Sequence, residues 1–307
     1  MKKIFVMAAM VLGVSAAYAG DSEPLKAITK SKTYAEAEAL LNSTLDQLAS
    51  PQEKAKAYNK LYELSMKDFE TVSAVIAENQ RAAVMKTEQQ AYDTAAYYNS
   101  AYNAVKAAVE CDKYDGQPDA KGKTKIAYRK DETRLQKLTQ ARLELVNGGQ
   151  WIDGKNDEAG LLKYWGLFLE SRNTHLFEAL PKEPFLGQVA FYAGAYAERA
   201  NKLEKANQYF DIAMQDPEWA EKAENAKFEV AGKNLKTEAD TLRYIGQLKD
   251  LYTQKNSEAA FSVLCKLYSS SNKTAELNAL VDDMLKKNPT NFLALAYHTQ
   301  SIADAVS

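Results

Sequence analysis

The sequence is poor in the residues from which disulfide frameworks, metal centres and nucleophilic sites are built. Among 307 residues there are two cysteines and two histidines. Cys111 and Cys265 are too few for the dense framework of a small exported domain. A single bridge between them is one reading, and a pair of small buried apolar residues is the preferred one. His175 and His298 lack the repeated spacing of a metal site, so no metal and no cofactor is expected. No G-x-S-x-G elbow, phosphate loop or dinucleotide glycine motif occurs. Asp112, Asp115 and Asp119 lack the alternating acids and central glycine of a calcium loop, and the acids of residues 153–158 fail the same test. The formal net charge is -2. A concentrated basic face for nucleic acid is therefore not expected. Beyond residue 17 no apolar run approaches the length that spans a bilayer. Glycine and proline are also scarce, at 13 and 7 residues. With few helix breakers, long uninterrupted helices are expected.

The first residues, MKKIFVMAAMVLGVSAAYAGD, join two lysines to a short apolar run and then Ala17-Tyr18-Ala19. That pattern predicts a secretory leader, residues 1–19, cleaved after Ala19, and a periplasmic or secreted mature chain. Removing Lys2 and Lys3 takes the net charge from -2 to -4 over the remaining 288 residues. In residues 34–48, Ala37, Leu40, Leu41, Thr44, Leu45 and Leu48 recur at three- and four-residue steps, and Pro51 follows Ser50 as the start of a new helix. Residues 88–110 carry Tyr98, Tyr102, Val105 and Val109 on one face and Tyr97, Ala101, Ala104 and Ala108 on another, which predicts a helix packed on two sides. Residues 111–125 break the rhythm with two glycines and a proline. They mark the expected boundary between an N-terminal helical region, 20–125, and the remainder, 126–307.

One spacing recurs in that remainder. From Gly194, Ala206, Phe210 and Ala213 stand at +12, +16 and +19. From Cys265, Tyr268, Leu277, Val281 and Met284 stand at +3, +12, +16 and +19, with Pro289 at +24. From Gly148, Trp151, Gly160, Tyr164 and Leu167 repeat the first four steps. Small residues at the start and at +12 let two antiparallel helices approach, and a larger side chain at +16 fills the seam. A helical glycine costs about 1 kcal/mol relative to alanine, so close approach supplies the reason for Gly148, Gly160 and Gly194. The pattern resembles the tetratricopeptide repeat, a 34-residue helix-turn-helix unit. Residues 258–291 carry it most fully, residues 187–220 have Ala197 where the family has tyrosine, and residues 141–174 lack the closing proline. A degenerate copy with helices near 219–230 and 238–251 is expected between residues 187–220 and 258–291. Residues 290–306 are expected to close the array, with Leu293, Ala296, Tyr297 and Ile302 inward and Asn291, Gln300 and Asp304 in water.

The resemblance implies an all-α fold, an antiparallel helix-pair solenoid or α-α superhelix, and a non-enzymatic scaffold holding a peptide or protein partner in its concave groove. Carried over position by position, the groove falls on Arg142, Leu145, Val146, Gly149 and Ile152; on Gln188, Phe191, Tyr192, Ala195, Glu198 and Arg199; and on Ala259, Ser262, Val263, Lys266 and Ser269. Arg142, Tyr192, Glu198, Arg199 and Lys266 are the expected partner contacts. The family's terminal-carboxylate clamp is not expected, because its lysine and asparagine places hold Leu145, Gly149, Phe191, Ala195, Ser262 and Lys266. A glycan-binding envelope protein, with Trp151, Trp165 and Trp219 stacking on sugars, is one alternative. An enzyme with a site assembled from distant residues is the other.

Overall fold

The computed structural model describes residues 20–306 except Asn156 and Asn234. The leader expected over residues 1–19 lies outside the described residues. Among the described residues there are thirteen α-helices and no strand, and no helix is long and apolar enough to cross a membrane. The chain divides into two compact units, one up to Arg142 and one from Leu143.

The first unit holds α1 (Glu23–Lys30), α2 (Tyr34–Thr44), a short 3-10 turn (Leu45–Gln47), α3 (Pro51–Met85), α4 (Thr94–Asp115) and the first half of α5 (Glu132–Asp153). Proline stands first in α3, where its missing N–H costs nothing, and the Ser50 hydroxyl accepts from the Glu53 N–H at 3.2 Å. The Glu53 carboxylate reaches back past the cap to the Ala49 N–H at 2.8 Å. It also takes the Ser22 N–H and hydroxyl, each at 2.7 Å, which ties the start of α1 to the start of α3. Down the hairpin of α3 and α4, Ala101, Ala104, Val105 and Ala108 are fully buried. Such small side chains let the two helices close tightly, and Tyr97 stacks on Phe69 with ring centres 5.1 Å apart.

Sequence periodicity starts α4 too early. The helix begins at Thr94, because Lys86 ends α3 in a left-handed conformation (φ 55°). The Asn79 side chain then holds the main chain of Gln90 by two bonds, each 2.7 Å. The break expected from residue 111 is likewise later, since α4 runs through Asp115. The acids of this stretch organise the connection. Asp115 accepts from the N–H groups of Ala127, Tyr128 and Arg129 at 2.8, 2.9 and 3.1 Å. Asp112 meets Arg129 Nε at 2.5 Å, and Asp119 accepts from the Lys121 and Lys123 N–H groups.

The second unit holds the rest of α5, then α6 (Glu158–Ser171), α7 (Leu186–Arg199), α8 (Leu203–Ala213), α9 (Ala220–Lys233), α10 (Glu238–Lys255), α11 (Glu258–Ser270), α12 (Thr274–Lys287) and α13 (Phe292–Val306). α6 packs on α7, α7 on α8, α8 on α9, α10 on α11, α11 on α12 and α12 on α13, while α7, α9 and α11 also pack one on the next, and the Tyr244 hydroxyl of α10 donates to the Phe228 carbonyl of α9. The turns α7–α8 and α11–α12 are alike. Asn201 and Asn272 sit in the left-handed region at φ 56° and 54°. The following Lys202 and Lys273 N–H groups each reach back 2.8 Å, to the carbonyls of Ala197 and Tyr268. This is the six-to-one closure of a helix C-terminus, with asparagine in the place where glycine is commoner.

Most of the seam residues are buried. A Cβ added to Gly194 would lie 2.5 to 2.9 Å from three ring atoms of Phe210, and Ala206, Phe210 and Ala213 are fully buried. Cys265, Tyr268 and Met284 belong to one core with Val281, and Leu277 packs against it. In the pair α5–α6, Gly148 and Gly149 are both buried. Gly149 lets the Trp165 ring lie where a Cβ would stand, while Gly160 abuts Ile152 and its own cap, Asp157. Tyr164 is buried and Trp151 half-buried. Pro289 is exposed in the turn before α13.

The last helix presents a different face from the expected one. Asn291 caps it, accepting from the Ala294 N–H at 2.9 Å, and is drawn into a buried position rather than left in water. Ala294 is buried with Leu293 and Tyr297 beside it. Ala296 and Ile302 consequently face solvent.

Candidate functional site

A cleft of about 580 Å³ opens between the Leu143–Asp153 stretch of α5 and helix α7. Its two walls follow from helical spacing. On α5, Leu143, Asn147, Gln150 and Asp153 rise along one stripe, and on α7, Gln188, Tyr192 and Tyr196 do the same at four-residue steps. Val146, Trp165, Phe185 and Val189 form the apolar floor.

The floor is fixed by close packing. Gly149 admits the Trp165 indole against α5, and Trp165 Nε1 donates to the Val146 carbonyl at 3.1 Å. Phe185, which precedes α7, stacks with Phe168 at 6.1 Å between ring centres. Its position follows from the segment before it, where Arg172 donates to the carbonyls of Phe177 and Leu180, the second at 2.8 Å. Tyr192 is 41% exposed and borders a cluster in which Trp219 lies 5.6 Å from it and 5.2 Å from Phe191.

One end of the cleft is acidic. There the Tyr196 hydroxyl donates to Asp153, and this bond, with some desolvation, holds the phenol above its usual range. A second cavity of about 340 Å³ shares Asp153 and Tyr196 and adds Asp157, Glu158 and Arg199. Arg199 Nε stands 3.4 Å from Glu158, and the guanidinium lies 4.0 Å above the Tyr196 ring. Asp157 caps α6 through the Gly160 N–H at 2.9 Å.

The five expected partner contacts fall in different surroundings. Tyr192 lines the cleft and Arg199 the adjoining cavity. Glu198 is paired with Lys233 at 2.8 Å, its side chain 13% exposed. Lys266 is exposed and paired with Glu229. Arg142 is fully buried and presents nothing to solvent. Of the other groove positions, Val146 and Gln188 line the cleft, whereas Leu145, Ala259 and Val263 are core. Asn147, Gln150 and Asp153 were not anticipated. Their signal is a polar stripe at i, i+3 and i+6, indistinguishable in sequence from an ordinary solvated face.

The cleft offers side-chain amides, phenols and a carboxylate over an apolar floor. Among the described residues no group of three His, Cys, Asp or Glu side chains is placed to hold a metal. Cys111 and Cys265 are free and buried. Burial pushes both thiols up to about 12, so neither is a nucleophile near neutral pH. Comparisons with protein families, with curated proteins and with solved structures give no match.

Proposed function

We propose that this chain is an exported, non-enzymatic binding scaffold of the tetratricopeptide kind, periplasmic or secreted, which holds a peptide or protein partner in a groove formed by the first helices of successive pairs. The observation that carries the reading is the cleft itself, whose walls are the first helices of two neighbouring pairs, α5 and α7. Helix starts at Leu186, Ala220, Glu258 and Phe292, which are 34, 38 and 34 residues apart, support a repeat of tetratricopeptide length. So do the matching asparagine turns after α7 and α11.

A glycan-binding reading has less support, because the indoles it needs are not open for stacking. Trp165 and Trp219 are 6% and 8% exposed, and Lys155 covers the Trp151 ring at 3.2 Å. An enzymatic reading gains no support from the thiols, both buried and raised to about 12.

The test is site-specific photo-crosslinking in the native envelope. Crosslinkers at Gln150 and Tyr192 are expected to capture the same partner, and one at the exposed Glu204 on α8 is expected to capture nothing in common with them. Equal capture from all three positions would refute the groove.

A further inference from the structure

The cleft has a polarity along its length that specifies the partner's chemistry, an inference that rests on the groove reading above. Asp153 and Tyr196 meet at one end, and Leu143 and Phe185 stand ten and eleven residues earlier on the two walls. The walls therefore run parallel, and the cleft is about 15 Å long at 1.5 Å per helical residue. An extended chain at about 3.3 Å per residue fills that length with four or five residues.

Three zones follow one another. Leu143 and Phe185 make an apolar end. Asn147, Gln150 and Gln188 make an amide middle, in which each side chain carries both donor and acceptor, the complement of a peptide main chain. Asn147 already donates to Glu144 at 3.0 Å, which leaves its carbonyl oxygen to accept. Asp153 closes the far end, where the adjoining cavity adds Asp157 and Glu158, with Arg199 the one basic residue lining it among the described residues. Three carboxylates against one guanidinium leave that end electronegative. Asp153 spends one oxygen on the Tyr196 hydroxyl, and Glu158 faces Arg199 at 3.4 Å rather than in a tight pair.

We infer that the cleft takes an extended peptide segment carrying an apolar side chain in the Leu143–Phe185 end and a lysine or arginine, three or four residues away, against Asp153 and Glu158. Side-chain amides hold its main chain, and the carboxylates select its basic residue.

The experiment selects random heptapeptides displayed on phage against the full-length mature chain, then measures the selected peptides by fluorescence anisotropy. The expected result is enrichment of a lysine or arginine three or four residues from an aliphatic or aromatic residue. Asp153→Asn combined with Glu158→Gln is expected to weaken such peptides by about tenfold, and raising the salt is expected to erase the difference between wild type and variant. Selected peptides that lose binding with Tyr192→Ala but show no basic residue and no response to the carboxylate variants would overturn this inference and leave the groove standing. Selected peptides indifferent to Tyr192→Ala and Gln150→Ala would overturn both. Retention of a neutral oligosaccharide, abolished by Tyr192→Ala, with no peptide selected, would replace the peptide with a sugar.

Discussion

Gly194 and Phe210 meet closely across the seam of α7 and α8, and replacing Gly194 with alanine measures that contact. The new methyl group would meet three Phe210 ring atoms at 2.5, 2.6 and 2.9 Å, against about 3.5–4.0 Å for relaxed carbon contacts. Phe210 has no room to yield, being fully buried with Phe191 5.9 Å away between ring centres. Overpacking of this kind costs about 1–3 kcal/mol. Alanine returns about 0.5–1 kcal/mol through helix propensity. The net expectation is a loss of about 1–2 kcal/mol, or about 2–8 °C in Tm for a unit of this size. Gly246 in α10 provides the control, since a Cβ there meets nothing within 4 Å. Gly246→Ala is expected to stabilise by about 0.5–1 kcal/mol. In a Phe210→Leu background, Gly194→Ala is expected to lose most of its penalty, giving a coupling energy of about 1 kcal/mol in a double-mutant cycle. Thermal melts by circular dichroism read all four variants. Equal stabilisation by the two alanines would refute the seam and the helix-pair packing argued from it.

Two further perturbations follow from the first unit and from buried phenols and thiols. Asp115→Asn replaces a carboxylate that accepts three main-chain N–H groups and is expected to cost about 1.5–3 kcal/mol, with faster proteolysis in residues 116–131; unchanged urea midpoint and cleavage would contradict it. Burial raises the phenols of Tyr58, Tyr62, Tyr128 and Tyr244 and both thiols to about 12. These groups ionise first in the unfolded chain, so their contribution is full below about pH 8.5–10 and is lost as the pH climbs toward 12. Urea midpoints are expected to fall steadily from pH 9 to 11, and the thiols to resist a thiol reagent at pH 8 until the chain unfolds. A flat midpoint, or prompt reaction of both thiols, would show that these side chains are not sequestered.

Much of the local architecture is legible in the sequence because it depends on neighbours in the chain. Ser50 and Pro51 open α3, Asn201 and Lys202 turn α7 into α8, and helices stand near the two places anticipated between Trp219 and Leu251. What escapes sequence reading depends on residues far away. The start of α4 is displaced to Thr94 by the hold of Asn79 on Gln90. Adjacent glycines give no clue that Gly149 is the one that admits the Trp165 ring. Arg142 looks like any helical surface cation, yet it is fully buried. Asn147, Gln150 and Gln188 become a set only because α5 and α7 flank the same cleft. The recurring small-residue spacing indicates paired helices, but the polar groups that line the cleft are set by which helices become neighbours.

The central claim is that function resides in the cleft between α5 and α7. Hydrogen–deuterium exchange of the chain, with and without the partner captured by the Tyr192 crosslinker, tests it most directly. The expected result is slowed exchange confined to residues 143–153 and 185–199. Protection centred on α8, α10 or α12 instead, or on the first unit alone, would contradict it.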